Sequence, residues 1–254
     1  MSKHRLVVAN WKMYISTPEE AKKFASALRR KARAFAGVEA VLAPSFTLLP
    51  LVAAALKGSS IRISAQSVSV FETGAHTGEV AAKMVKSFGA TYSIIGHSER
   101  RAQGESDEDV RAQLAHAAAA GLTPILCIGE RERDPAGAYL STIVEQLSSV
   151  LKDFKKGGVP KLVVAYEPLW AINKSAADAM KPAEVREMSI FIKKTLAEHL
   201  ERATAMRVPI LYGGSVEAGN AAALIAEGDI NGFLVGHASA TVDSFVEILK
   251  AVKN

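Results

Sequence analysis

At residues 162–168 the chain reads Leu162-Val163-Val164-Ala165-Tyr166-Glu167-Pro168. The first five residues form a continuous apolar run of the length expected for a strand that is buried on both faces. A carboxylate follows at once, and a carboxylate at the end of a core strand is costly to desolvate unless it has a partner or a task. Because proline cannot continue a central strand, the backbone must leave the sheet at Pro168. The stretch therefore predicts a candidate base, Glu167, on a rigid strand end.

Similar apolar runs recur along the whole chain, and each is followed by a longer amphipathic segment rich in Ala, Lys and Glu. Strands that alternate with helices in this way predict a parallel sheet covered by helices. Eight such units in about 250 residues predict an α/β fold, a closed (β/α)8 barrel that occupies residues 1–254 as a single domain. The predicted strands are Leu6–Asn10, Val38–Ala43, Ile61–Ala65, Tyr92–Gly96, Ile125–Ile128, Leu162–Tyr166, Ile210–Tyr212 and Gly232–Val235. A doubly wound open sheet is the alternative, but Trp11-Lys12-Met13 stands where that fold would carry a glycine-rich loop.

Two stretches carry the signals of helix starts. Thr17-Pro18-Glu19-Glu20 supplies an N-cap, a proline for the first helical position and a capping-box glutamate. Ser106-Asp107-Glu108-Asp109 offers the same kind of cap before the fourth predicted helix. These signals are structural and carry no function.

Composition limits the classes of protein to which the chain can belong. Of its 254 residues 49% are hydrophobic and 22% charged, which is ordinary for a globular protein with a large core. The net charge is +5, but no dense basic tract is present, so we expect an anionic metabolite and no nucleic acid as partner. The apolar runs are too short to span a membrane, and the first residues lack the features of a signal peptide. A single cysteine, Cys127, excludes an internal disulfide and predicts a cytoplasmic location.

Active sites of such barrels lie at the C-terminal ends of the strands. Polar residues and glycines gather at these ends: Asn10, Lys12, Gln66, His97, Ser98, Glu99, Cys127, Glu130, Glu167, Gly213, Gly214, Ser215, Gly236 and His237. Lys12 is suited to hold a phosphate and stabilise an oxyanion, although a surface lysine or a Schiff-base lysine would also fit. His97 is either structural or, at the start of a helical turn that favours the neutral ring, a hydrogen-bond donor. Glu167 is either a general base or an ion-paired carboxylate.

Two glycine-containing stretches follow the seventh and eighth predicted strands. They read Tyr212-Gly213-Gly214-Ser215-Val216 and Leu234-Val235-Gly236-His237-Ala238-Ser239. Backbone N–H groups at such turns bind phosphate, and the common phosphate site of these barrels lies after strands seven and eight. His4, His116 and His199 show no metal-ligand spacing, and no other metal motif is present, so we expect no metal.

Several motifs resemble those of the triosephosphate isomerase family, in its bacterial, dimeric form. The similar stretches are Asn10-Trp11-Lys12-Met13, Gly96-His97-Ser98-Glu99-Arg100-Arg101 and Tyr166-Glu167-Pro168-Leu169-Trp170-Ala171. The resemblance runs from Leu6 to the last helix. It implies a TIM barrel that interconverts dihydroxyacetone phosphate and glyceraldehyde 3-phosphate, in glycolysis and gluconeogenesis, without a cofactor.

The resemblance also implies roles for individual residues. Glu167 would be the base, His97 would polarise and protonate the substrate, and Lys12 with Asn10 would stabilise the enediolate. Phosphate would be held by Lys12 and by the backbone of Asn173, Ser215, Gly236 and His237. Supporting positions would be Glu99, Cys127, Glu130, Trp170, Tyr212, Gly213 and Gly214. Residues 74–79, Gly74-Ala75-His76-Thr77-Gly78-Glu79, resemble the protruding third loop of the family, which predicts a homodimer with Thr77 against the neighbouring active site.

Three positions depart from the family pattern. The lid tip reads Ile172-Asn173-Lys174-Ser175 where the family usually has Gly-Thr-Gly. His237 replaces the more common second glycine of the last phosphate loop, and Lys181 stands before Pro182 where a Ser or Thr cap is usual. We expect these changes to alter lid motion and phosphate affinity while the chemistry stays intact.

Two other functions stay open at the level of sequence. One is a different sugar-phosphate barrel, either an epimerase or a Schiff-base aldolase, although the strand ends lack an obvious His/Asp set for a metal-dependent epimerase. The other is a catalytically silent barrel that binds a phosphometabolite or a protein partner.

Overall fold

The computed structural model describes residues 4–154, 161–171 and 179–253. Their strands are β1 Arg5–Asn10, β2 Val38–Ala43, β3 Arg62–Ala65, β4 Tyr92–Ile95, β5 Thr123–Ile128, β6 Val163–Tyr166, β7 Ile210–Tyr212 and β8 Gly232–Val235. Each strand pairs in parallel with its neighbours in sequence, and β8 pairs with β1, so the sheet closes. The predicted (β/α)8 barrel is confirmed, and the open sheet is wrong. The largest difference in a strand bound is at β5, which begins at Thr123 instead of Ile125.

Helices cover the outside of the barrel. In the described part of the chain they are α1 Pro18–Arg30, α2 Leu49–Leu56, α3 Ala82–Ser87, α4 Ser98–Ala102, α5 Asp107–Ala119, α6 Tyr139–Leu151, α7 Pro182–His199, α8 Arg202–Ala205, α9 Ala218–Glu227 and α10 Val242–Lys253. Short 3-10 helices span Ala32–Phe35, Leu169–Ala171 and His237–Ser239. Within the described ranges, every helix is too short or too polar to cross a lipid bilayer.

Reciprocal hydrogen bonds fix the starts of two helices, as predicted. The hydroxyl of Thr17 accepts a hydrogen bond from the N–H of Glu20. In return, the carboxylate of Glu20 accepts a hydrogen bond from the N–H of Thr17. Ser106 and Asp109 form the same pair at the start of α5. The second cap precedes the fifth helix and not the fourth, because the short helix α4 comes before it.

The start of α7 is less completely capped, which confirms the prediction for Lys181. The side chain of Lys181 makes no capping hydrogen bond. Only the return half of the cap is present, since the N–H of Lys181 donates to the carboxylate of Glu184 at 2.8 Å.

Alternating side chains along the strands build two cores. Val7 and Ala9 of β1 belong to the layer between strands and helices, whereas Leu6 and Val8 point to the barrel interior. The interior is filled by Leu6, Val8, Val41, Ala43, Ile94, Ile125, Cys127, Val163, Ala165, Leu211 and Leu234. The interior is thus packed with apolar groups. Because all eight strands are parallel, the polar residues that follow them lie together at one rim of the barrel.

Truncation of an interior side chain tests this packing. Ile94 is fully buried in the barrel interior, and Ile190 on α7 is 52% exposed. We expect Ile94→Ala to lower the free energy of unfolding by roughly 2–5 kcal/mol because it leaves a cavity. The control Ile190→Ala should change it by less than about 1 kcal/mol. Urea unfolding at one fixed protein concentration measures both, and equal losses would contradict the interior position of Ile94.

Candidate active site

One pocket at the C-terminal rim of the barrel brings most of the predicted site residues together. Its volume is about 270 Å³, and its lining comprises Asn10, Lys12, His97, Glu167, Gly213, Gly214, Ser215, Val216, Glu217, Leu234, Gly236, His237 and Ala238. Every predicted catalytic residue and every predicted phosphate-binding residue but one is in this set. The exception, Asn173, lies outside the described residues, as do Lys174 and Ser175.

Glu167 is a buried carboxylate that directly follows β6. The residue is 2% exposed. Its Oε2 accepts the N–H of Ser98 at 3.1 Å, and its Oε1 lies 3.1 Å from Nε2 of His97. These contacts replace part of the hydration that the carboxylate loses on burial. Within the described part of the chain, the contacts of this carboxylate are with His97, the N–H of Ser98 and the thiol of Cys127, and none is with an Arg or Lys side chain.

Gly213 leaves room for this carboxylate. A Cβ atom at Gly213 would lie 2.8 Å from Cγ of Glu167, well inside ordinary carbon–carbon contact. The N–H of Gly213 donates to the carbonyl oxygen of Tyr166 at 2.8 Å, which carries the pairing of β6 and β7 beyond the last residues of the strands. The glycine after β7 therefore has a packing reason of its own, apart from any contact with phosphate.

His97 presents a hydrogen-bond donor to the pocket. Its Nδ1 accepts the N–H of Glu99 at 3.2 Å, at the start of helix α4. Because Nδ1 accepts, the neutral ring carries its proton on Nε2, the nitrogen that faces Glu167. The arrangement provides the hydrogen-bond donor that the sequence predicts for this position.

Lys12 is aimed into the pocket by a strained turn. Its φ is 45°, in the left-handed region that residues with a side chain rarely adopt. The side chain of Asn10 accepts the N–H of Lys12 at 3.2 Å, and the side chain of Gln66 donates to its carbonyl oxygen at 3.0 Å. Its Nζ pairs with Oε1 of Glu99 at 2.6 Å. Two polar side chains thus stabilise the turn, and Glu99 stands beside Lys12 as a supporting residue.

A cluster around Glu130 supports the segment that follows Glu167. Oε1 of Glu130 accepts from the hydroxyl of Tyr166 and from Nε1 of Trp170, both at 2.8 Å. Burial, and after it the charge of Glu130, raise the pKa of Tyr166 far above its ordinary value. The guanidinium of Arg133 lies 3.4 Å from Glu130 and 5.2 Å above the ring of Trp170. Sequence reasoning missed Arg133, for which the only signal is its spacing of three residues from Glu130.

The loop after β7 is tied to the same segment from the other side. Both the N–H and the hydroxyl of Ser215 donate to the carbonyl oxygen of Ala171, at 3.2 and 3.0 Å. Tyr212 is fully buried behind this loop, and burial raises its pKa to about 12. A Cβ atom at Gly214 would overlap the hydroxyl of Tyr212, so a larger residue has no space there. The loop therefore contacts the stem of the predicted lid directly.

Cys127 and Thr77 lie outside the pocket. Cys127 is buried in the barrel interior, and the Glu167 carboxylate contributes to the shift of its pKa, so it lies beside the predicted base. Thr77 is exposed on residues 74–79, and its place against a neighbouring active site stays a prediction. Among residues 4–154, 161–171 and 179–253, no three His, Cys, Asp or Glu side chains are arranged to hold a metal ion.

Comparison with known proteins agrees with this geometry. The profile of the family described as Triosephosphate isomerase matches residues 5–252. The chain belongs to the triosephosphate isomerase family.

Individual relatives in the triosephosphate isomerase family match nearly the full chain. The protein named triosephosphate isomerase from Thiobacillus denitrificans is 44% identical over 97% of this chain and 98% of its own. The corresponding protein of Sodalis glossinidius is 42% identical over 98% of this chain and 97% of its own. That of Fusobacterium nucleatum is 40% identical over 97% of this chain and 98% of its own. The family resemblance noted in the sequence is thereby confirmed.

The fully buried thiol of Cys127 offers a test of the barrel interior. Burial, and after it the neighbouring Glu167 carboxylate, raise the pKa of the Cys127 thiol. Because the thiolate is the reactive form, we expect no alkylation by iodoacetamide at about pH 8 in the native protein and complete alkylation in denaturing urea. Mass spectrometry of the intact chain measures both. Rapid alkylation of the native protein would contradict the described position of Cys127.

Proposed function

We propose that the chain is an aldose–ketose isomerase that interconverts dihydroxyacetone phosphate and D-glyceraldehyde 3-phosphate in glycolysis and gluconeogenesis. The proposal depends on one observation, the 3.1 Å contact between Oε1 of Glu167 and Nε2 of His97 in a pocket that Lys12 also lines. A carboxylate and a neutral imidazole in one pocket can remove a proton next to a carbonyl and return it to the adjacent carbon. The relatives that match the chain carry the name triosephosphate isomerase.

Proton transfer alone accomplishes this reaction. Glu167 takes the proton from C1 of dihydroxyacetone phosphate, while Nε2–H of His97 donates to the oxygen on C2. The ammonium of Lys12 stabilises the negative charge that develops on the enediolate. His97 then gives its proton to the oxygen on C2 and takes one from the oxygen on C1. The carboxyl of Glu167 returns its proton to C2, so every group ends in its starting form.

The present contacts of the base define what must move. The carboxylate of Glu167 accepts a hydrogen bond from the N–H of Ser98 and lies against His97. It has to leave both before it reaches a carbon-bound proton. A substrate oxygen then takes its place as the partner of His97 Nε2. Such a base is sheltered and held by replaceable bonds until the substrate is present.

Phosphate is held, in this proposal, by Lys12 and by the N–H groups of Ser215, Gly236, His237 and Asn173. The N–H of Ser215 now donates to Ala171, so phosphate has to displace that carbonyl oxygen. Displacement would release the stem of the predicted lid at the moment the substrate binds. The differential contacts of Ser215 give phosphate a means to shift the lid between two states.

A Schiff-base aldolase fits the site less well. Its lysine must attack a carbonyl as a neutral amine. Nζ of Lys12 is instead paired with Oε1 of Glu99 at 2.6 Å, so it is not free to attack a carbonyl. Borohydride with either triose phosphate is expected to leave the mass of the chain unchanged.

Replacement of the base is the most direct test of the proposed reaction. We expect Glu167→Gln to lower kcat for glyceraldehyde 3-phosphate by roughly 10² to 10⁴-fold, because the amide cannot accept the carbon-bound proton. The control Glu145→Gln, on the exposed surface of α6, should retain the rate of the parent. Steady-state isomerisation measures all three proteins. A parent without activity, or a fully active Glu167→Gln variant, would contradict the proposal.

We also propose that two copies of the chain associate as a homodimer through residues 74–79. Large apolar side chains are exposed in one part of the chain. Met13, Tyr14, Phe46 and Phe71 follow the three neighbouring strands β1, β2 and β3, whereas Met84 lies on α3 and Phe88 directly after it. Phe46, Met84 and Phe88 line one apolar pocket. Exposed apolar patches of this kind are typical of contacts between proteins.

A charge placed in this apolar surface should separate the subunits. We expect Met84→Arg to convert the dimer to a monomer, because it would bury an unpaired charge. Met206→Arg is the matched control. Met206 is 47% exposed, close to the 54% of Met84, but it follows α8 and lies outside the proposed interface. Sedimentation equilibrium gives the mass of each. A parent that sediments as a monomer, or a Met84→Arg variant that stays dimeric, would contradict the interface.

We further propose a cytoplasmic location and a small-molecule partner, with no nucleic acid or membrane involved. The support is compositional: a net charge of +5 favours an anionic metabolite, and the one cysteine offers no partner for a disulfide.

A further inference from the structure

His237 is an exposed residue that lines the pocket, and the proposed reaction uses only its backbone N–H. We propose that it is a specificity-determining residue, whose ring N–H donates to the phosphate of the substrate beside the ammonium of Lys12. The inference rests on the proposed function and concerns how the same pocket recognises phosphate. It adds a side-chain contact to the backbone contact already expected at this position.

His237 stands at the end of the pocket where phosphate is expected. It follows β8 by two residues, and it lines the same pocket as Lys12, Ser215 and Gly236. Nζ of Lys12 lies 3.6 Å from the position that a Cβ atom on Gly236 would take. The ammonium is therefore next to the turn that carries His237, and an anion bound between them contacts both.

The ring of His237 has one aromatic neighbour, although the residue itself is exposed. The ring meets that of Tyr14 edge to face, with centroids 5.4 Å apart and planes at 75°. The backbone beneath is fixed as well, since the hydroxyl of Ser239 donates to the carbonyl oxygens of Val235 and Gly236, at 3.0 and 2.7 Å. The fixed turn and the contact with Tyr14 reduce the conformational freedom that the side chain loses when it binds a ligand.

The charges around the pocket favour an additional hydrogen-bond donor to phosphate. Nζ of Lys12 already pairs with Glu99, and the acidic residue Glu217, which is exposed, is part of the same pocket lining. A phosphate dianion thus meets one paired cation and one like charge. An imidazole N–H, with or without a second proton, offsets Glu217 by a hydrogen bond to a charged acceptor. The glycine that the family more commonly has at this position supplies only a backbone N–H.

Two substitutions separate the hydrogen bond from the packing. His237→Phe keeps an aromatic ring against Tyr14 but removes the donor, whereas His237→Gln keeps a donor and removes the aromatic ring. We expect kcat/KM for glyceraldehyde 3-phosphate to fall about 5- to 10-fold in His237→Phe, mainly through KM, and to stay within about 3-fold of the parent in His237→Gln. The inhibition constant of inorganic phosphate should rise in parallel. With D-glyceraldehyde, which lacks phosphate, the loss in His237→Phe should shrink to about 2-fold or less.

The other outcomes overturn either the inference or the proposed function. Unchanged kcat/KM and phosphate inhibition in His237→Phe would overturn the inference and leave the proposed reaction intact. An equal loss with D-glyceraldehyde, or a loss in His237→Gln without one in His237→Phe, would also overturn it, because the ring would then serve packing alone. A parent that does not isomerise glyceraldehyde 3-phosphate would overturn the proposed function itself.

Discussion

The buried carboxylate of Glu167 is the constraint on which the rest of the site depends. A charge that is 2% exposed requires hydrogen bonds in place of water, and the N–H of Ser98 and Nε2 of His97 lie 3.1 Å from its two oxygens. Because Gly213 has no side chain, the space beside the side chain of Glu167 stays open. These groups follow β4, β6 and β7, and the closed parallel barrel brings them together at one rim. The energetic cost of burying the base is thus met by groups from separate parts of the chain.

The segment after Glu167 connects this base to both sides of the pocket. On one side, Nε1 of Trp170 donates a hydrogen bond to Glu130. On the other, the carbonyl oxygen of Ala171 accepts two hydrogen bonds from Ser215. Because Glu167 and this segment share one strand end, a shift of the segment changes the position of the carboxylate. If phosphate contacts Ser215 as proposed, its effect reaches the base through a short stretch of backbone. This connection gives a physical route by which binding of the remote phosphate group favours the reactive geometry.

Much of the fold and of the site follows from sequence, for identifiable reasons. Apolar runs of strand length alternate with helices, and the parallel barrel then places every strand end at one rim, so Lys12, His97 and Glu167 are expected together. What the sequence does not reveal depends on loops that are distant in the chain. The stacking of Arg133 on Trp170 and the bond from Ser98 to Glu167 are of this kind. The positive φ of Lys12 is likewise hidden, because lysine carries no preference for that conformation.

The central claim is that a single sheltered carboxylate transfers the proton, and isotope exchange in D2O tests it most directly. Dihydroxyacetone phosphate is incubated with the protein, and both triose phosphates are analysed by NMR. The account predicts deuterium at C2 of glyceraldehyde 3-phosphate and at only one of the two C1 positions of recovered dihydroxyacetone phosphate, because Glu167 exchanges its proton on one face of the enediolate. Product without any carbon-bound deuterium would indicate hydride transfer. Exchange at both C1 positions would indicate an enediolate released to solvent, and either result would contradict the account.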